Sequence, residues 1–351
     1  MAMTSRELVY ATIECDAPER LVYAIHIDKA LFADRFSPEQ MAELDRRVKR
    51  VPRDFVEVSL TPERVELHRL DEHGGRHFLD EWGVEWTGRM PRVVGHPLGS
   101  GWDLLDGYTA PGPPDAVCIE KAQRTAEEAR GASAYVLGSV WFTLFERMWF
   151  LRGFENLLVD AHVYPGEFER LRQMVVEFQL SKIRALGEIG VDGIYFSDDW
   201  GTQDGLIISP EDWRRFYRPA YERLFRAAHE AADHVWMHQC GNVAALVPEF
   251  VELGLDVLNP IQPRALDVEW LGREWRGRLC FCGGIDVQHT LPFGTPNDVR
   301  REIEYLIRTL SAPSGGGYIP EHSHTIGPET PFENLIAMFD CLERLSRADA
   351  R

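Results

Sequence analysis

Short apolar runs recur along this sequence, separated by longer segments of helical period, and that alternation leaves few folds open. The runs are Leu21–Ile27, Phe55–Leu60, Ala134–Trp141, Gly193–Ser197, His234–His238, Leu255–Asn259, Leu279–Gly283 and Gly317–Pro320. Between most of them lie amphipathic stretches, such as the one carrying Phe168, Leu171, Met174, Val175 and Phe178. Strands that alternate with helices form a parallel sheet with right-handed crossovers. Eight such runs favour a closed barrel over an open sheet, so the expected fold is α/β, a (β/α)8 TIM barrel. The chain of 351 residues is read as one barrel domain over 1–351.

Helix starts are legible. Ser37-Pro38-Glu39-Gln40, Ser209-Pro210-Glu211-Asp212, Thr295-Pro296-Asn297-Asp298 and Thr330-Pro331-Phe332-Glu333 share one pattern. A hydroxyl caps a free N–H, Pro fits the first helical position, and an acid or amide follows. One region departs from the alternation, at about 76–114. Arg76–Arg92 reads as a hairpin centred on a glycine, and Gly95–Pro114 as a long Gly- and Pro-rich loop, both added to an N-terminal helical elaboration of the barrel.

The net charge of -18 disfavours nucleic acid and anionic membrane surfaces, which need clustered Lys and Arg. No stretch reaches the roughly 18 apolar residues of a membrane span, and Met1–Leu8 lacks a signal-peptide core, so a cytoplasmic protein is expected. The six cysteines show no disulfide spacing, which leaves metal binding or plain burial.

In a barrel of this type the C-terminal strand ends carry the site. The runs deliver His26 and Asp28; Ser197, Asp198, Asp199, Gln203 and Asp204; His238 and Cys240; Asn259 and Gln262; Asp286; and Glu321, His322 and His324. His238 and Cys240 sit two apart, hence on one face of an extended strand. Imidazole and thiolate suit Zn²⁺, and a third ligand from His324 or His322 would leave the open position of a catalytic site. The bland alternative is a buried thiol beside a hydrogen-bonded histidine. Asp198 and Asp199 are adjacent, so one faces the mouth and the other the wall. Each reads equally as a substrate partner or general base, or as a loop-bracing carboxylate. Glu321 and Asp286 read more readily as structural.

These motifs resemble the uroporphyrinogen decarboxylase superfamily. The resemblance is carried by Asp198-Asp199-Trp200-Gly201-Thr202-Gln203 with Ile208-Ser209-Pro210, by His238-x-Cys240-Gly241-Asn242, by Gly283-Gly284-Ile285-Asp286, and by Ser323-His324-Thr325-Ile326-Gly327-Pro328. It is strong from about 151 onward. The decarboxylases themselves carry a basic R-Q-A-G-R-type loop near the N-terminus, where this chain reads Ile25-His26-Ile27-Asp28-Lys29-Ala30. The sequence is closer to the zinc-dependent branch, similar to methylcobalamin:coenzyme M methyltransferase. That resemblance implies zinc on His238, Cys240 and His324, the last standing where the branch has a Cys. It implies catalytic roles for Asp199 and His238, and substrate contacts from His26, Asp198, Gln203, Asn259, Gln262 and Asp286. It also implies methyl transfer between a small methylated substrate or thiol and a corrinoid on a separate protein. The alternatives are a metal-independent decarboxylase or lyase acting on a small acid, and a ligand-binding barrel without catalysis.

Overall fold

The computed structural model describes residues 2–70, 74–88 and 92–348. Its centre is a curled, all-parallel sheet of seven strands in sequence order: β1 (Phe55–Ser59), β2 (Tyr135–Val140), β3 (Gly193–Ser197), β4 (His234–His238), β5 (Val257–Ile261), β6 (Cys280–Ile285) and β7 (Tyr318–His322). Each strand lies beside the one before it, as right-handed βα crossovers require. The α/β barrel architecture read from the alternation is therefore present, with seven of the eight runs as strands.

The eighth position is filled differently. Leu21–Ile25 is extended and buried, but it forms no ladder. Ala24 donates its N–H to the Pro320 carbonyl at 3.0 Å. The next inward donor, the His26 N–H, goes to Nε2 of His322 at 3.0 Å. A side chain thus takes the bond that would have continued the pairing, and the run that sequence assigns as a strand stays an irregular wall between β7 and β1.

Strand alternation sorts the side chains. On β1, Val56 and Val58 face outward into the helix layer, while Phe55 and Glu57 face inward. The same rule turns Tyr135 and Leu137, Tyr195, Trp236, Val257, Cys280 and Cys282, and Ile319 into one inner cluster. The helix Ser5–Ile13 plugs the N-terminal end of the barrel with Leu8, Val9 and Ile13. The interior is therefore packed below and open at the C-terminal strand ends, where Glu57, His238, Asn259 and Glu321 continue the inward series.

Three of the four expected caps form. Ser37, Ser209 and Thr295 accept the N–H of Gln40, Asp212 and Asp298, starting the helices Pro38–Arg50, Pro210–Phe216 and Pro296–Leu310. The fourth does not: the last helix runs Phe332–Ala348, and the buried Thr330 hydroxyl has no hydrogen-bond partner among the described residues. The expected hairpin is present, with Arg76–Leu79 antiparallel to Glu85–Thr87, but Val65–Leu70 and Arg92–Gly95 extend it to a four-stranded sheet. Residues 89–91 of the stretch read as a hairpin lie outside the described residues. The Gly95–Pro114 loop is pinned, not free: Leu98 and Leu105 are buried, and Arg152 donates to the carbonyls of Leu98 and Gly99 at 2.8 and 3.0 Å.

Candidate metal centre and cavity

His238 ends β4, and Cys240 follows two residues on, still facing the mouth. The Cys240 Sγ lies 3.4 Å from His238 Nε2. Asp199, from the loop after β3, joins them: its Oδ1 accepts the Cys240 N–H at 2.9 Å. Ligand atoms of Asp199, His238 and Cys240 all fall within 4.8 Å of one another.

Two glycines make that approach possible. A Cβ at Gly201 would lie 2.5 Å from the Cys240 carbonyl oxygen, and one at Gly241 would lie 2.4 Å from the Gly201 carbonyl carbon. Gly241 also sits at φ +80°, where L side chains are strained. The β3 and β4 loops can therefore touch backbone to backbone, which carries Asp199 to Cys240.

The supporting bonds fix the protons. Asn259 Oδ1 accepts from His238 Nδ1 at 2.9 Å and from the Tyr195 hydroxyl at 2.6 Å, while its Nδ2 donates to Glu321 at 3.0 Å. His238 therefore carries its proton on Nδ1 and presents the Nε2 lone pair toward Cys240, the tautomer a metal ligand needs. Gln262 accepts the Gly241 N–H at 2.7 Å and directs its amide toward Cys240 Sγ at 3.6 Å, so it braces the thiol. Burial, with Asp199 and Glu146 nearby, pushes the Cys240 thiol well above its ordinary value. Burial and the charges of Asp199 and Asp198 likewise push the Glu146 carboxyl far up. Ionised together, the two carboxylates and the thiolate would repel one another, and the upward shifts record that cost. A divalent cation would offset that repulsion, and an N, O and S donor set suits Zn²⁺.

His322 and His324 separate cleanly. Both nitrogens of His322 are engaged: Nε2 accepts from His26 N–H, and Nδ1 donates to the His324 carbonyl at 2.7 Å. The His324 ring has no hydrogen-bond partner among the described residues and stands at the cavity rim. It lies outside the group of three ligand atoms. Burial lowers the pKa of both imidazoles.

Other expected contacts are corrected. Asp198 is fully buried and braces a helix: it accepts the N–H groups of Leu144, Phe145 and Glu146 at 2.7–3.1 Å, together with the Tyr221 hydroxyl. It faces the wall. Burial raises its pKa to about 7 against the lowering effect of those bonds. Asp286 is 1% exposed, accepts the N–H groups of Gln288, His289 and Thr290, and pairs with Arg264 at 3.0 Å. Neither reaches the cavity. Gln203 donates its amide to the Arg264 carbonyl at 2.6 Å, so it ties two loops together. His26 and Asn259 do line the cavity.

That cavity is about 320 Å³, with His238 in its wall. Sequence reasoning passed over Glu57, Tyr195 and Cys282 among its lining. The signal was available, since each sits on or at the end of a strand, in phase with an inward neighbour.

Residues 90–345 match the family model described as uroporphyrinogen decarboxylase (URO-D). The chain belongs to that family. It is 30% identical over 193 residues to a uroporphyrinogen decarboxylase of Thermus thermophilus, covering 54% of this chain and 53% of that protein. Against the uroporphyrinogen decarboxylase of Syntrophotalea carbinolica it is 26% identical over 189 residues, covering 52% and 50%. It thus spans about half the length of the curated relatives it matches. Among solved structures, a methyltransferase from Methanosarcina mazei superposes with a TM-score of 0.70 at 16% identity, covering 97% of this chain and 99% of that one. The fold of this URO-D family member is shared along nearly its whole length. Among the described residues, no helix is long and apolar enough to cross a membrane.

Proposed function

We propose that this chain is a zinc-dependent methyltransferase that moves a methyl group between a small methylated substrate or thiol and a corrinoid carried on a separate protein. The observation that carries this reading is the convergence of Asp199, His238 and Cys240 within 4.8 Å beside a cavity at the barrel mouth. These three residues would hold the metal, with His324 at the rim free to join or leave. Bound zinc would supply Lewis acidity, keeping a thiol or other heteroatom polarised for methyl transfer at neutral pH.

The chain's own residues do the positioning. Asn259 locks the His238 tautomer, and Gln262 braces the sulfur of Cys240. Trp141 packs over His238 with centroids 5.4 Å apart, which shields that face of the ligand from water. The relatives' own activity, decarboxylation of uroporphyrinogen, fits the cavity poorly. Glu57 and Glu321 line it, and no Arg or Lys does among the described residues. A substrate bearing many carboxylates would meet like charge there.

Elemental analysis of freshly purified protein, with His238→Ala and Cys240→Ala alongside, tests the reading. The expected result is about one zinc per chain, lost in both variants. Thiol-dependent demethylation of methylcobalamin, followed by its absorption spectrum, should require that zinc. Protein that holds no metal and takes up none from added Zn²⁺ would sink the proposal.

A further inference from the structure

The cavity wall combines rings and acids in a way that metal binding does not need. Phe55, Trp141, Tyr195 and Trp236 supply the ring surface. They form a connected series, with centroids 5.8 Å apart from Phe55 to Trp236, 6.1 Å from Trp236 to Tyr195, and 5.5 Å from Tyr195 to Trp141. Glu57 and Glu321 stand in the same wall. Glu57 accepts from Trp141 Nε1 at 2.8 Å. Glu321 accepts from Asn259 at 3.0 Å and from the Cys282 thiol at 3.2 Å. These donors are neutral. Among the described residues neither acid pairs with Lys or Arg, and the ion-pair partner of Glu321 is the His26 imidazole, 3.8 Å away.

Uncompensated carboxylates beside ring faces stabilise an organic cation, because the face of an aromatic ring is its negative side. They repel an anion and give a neutral molecule nothing beyond apolar contact. The net charge of -18 adds a long-range attraction of the same sign. A volume near 320 Å³ is that of a small-metabolite site.

The geometry points to a methylated ammonium compound as the substrate of this cavity, its cationic nitrogen seated against Trp141 and Tyr195 with Glu57 and Glu321 as counter-charges. That it is the methyl donor rests on the methyl-transfer reading; that it binds does not. Loss of the methyl breaks a C–N bond whose electron pair stays on nitrogen, leaving a neutral amine. The acceptor, a thiolate or reduced corrinoid as proposed above, supplies the pair for the new bond to carbon.

The test is calorimetric titration of the purified protein with choline, with tetramethylammonium, and with 3,3-dimethylbutan-1-ol, the neutral isostere of choline. Choline should bind at least about tenfold more tightly than the isostere, a margin that cation–π and counter-charge contacts together supply. Glu57→Gln keeps an acceptor for Trp141 Nε1 and should remove most of that margin at an unchanged melting temperature. Trp141→Leu should weaken both cations. Equal binding of choline and its isostere, or unchanged choline affinity in a normally folded Glu57→Gln, would overturn the inference. The two readings fail separately. Cation-selective binding to protein that takes up no zinc keeps the ligand class and removes methyl transfer, whereas zinc-dependent demethylation of methylcobalamin without cation preference does the reverse.

Discussion

Adjacent carboxylates at a strand end divide the work of holding the wall and serving the mouth. Asp198 satisfies three helix N–H groups and a tyrosine hydroxyl in a fully buried setting. Asp199 turns the other way and meets Cys240. Replacing Asp198 with Ala strands all four donors, so a loss of about 3–5 kcal/mol is expected, read as a lower urea midpoint. A substrate contact would instead show as weaker binding at unchanged stability. The sequence could announce a pair here, and it did, but it could not say which member faced which way. The same limit applied to Asp286, because a capping carboxylate and a substrate-binding one are identical in sequence. His238 and Cys240 were readable because two-residue spacing at a strand end fixes a shared face. His322 was separable from His324 only with coordinates, since its engagement depends on the His26 backbone, almost three hundred residues away in sequence.

At the level of elements, the site exists because two loops touch. The β3 and β4 loops approach through Gly201 and Gly241, with no room for a side chain between them. Gly201→Ala forces a methyl against the Cys240 carbonyl and must push the loops apart. The expected outcome is a stability loss of about 1–3 kcal/mol, the usual cost of overpacking. A larger loss of zinc uptake should accompany it, because Asp199 is displaced from its partners. Retention of full zinc stoichiometry and affinity in this variant would show that Asp199 is not a ligand. Seven apolar runs became strands because each finds a neighbour on both sides or at a sheet edge. Leu21–Ile27 has the same composition, yet its His26 N–H is diverted to a side chain, which no local pattern reveals. The antiparallel sheet was partly legible, since a turn marks one hairpin but says nothing of strands added on either side.

For the molecule as a whole, folding has to accommodate acids well inside a chain already carrying a charge of -18. Glu302 shows how this couples stability to pH, at a distance from the proposed ligands. It bridges the helix Pro296–Leu310 to the end of β6, accepting the Asp286 N–H at 3.0 Å and the Thr290 hydroxyl at 2.7 Å. Burial raises its pKa from 4.5 to about 7, outweighing those hydrogen bonds. The folded state therefore holds the proton more tightly than the unfolded chain. Between pH 4.5 and about 7 this group binds more proton in the native state, so its contribution to stability falls as pH rises through that window and is level again above it. Glu302→Gln keeps both contacts, with the amide oxygen accepting from Asp286 and the amide NH₂ donating to Thr290, but it cannot ionise. Its stability gain over the native protein should be near zero below pH 4.5 and should grow to roughly 1–3 kcal/mol by pH 8. Urea unfolding of both proteins at pH 4.5, 6 and 8 reads that difference directly, and every other titrating group cancels between them. A constant difference across the series would mean that Glu302 ionises as freely in the folded protein as in the unfolded chain. The bridge between β6 and its helix would then be open to water.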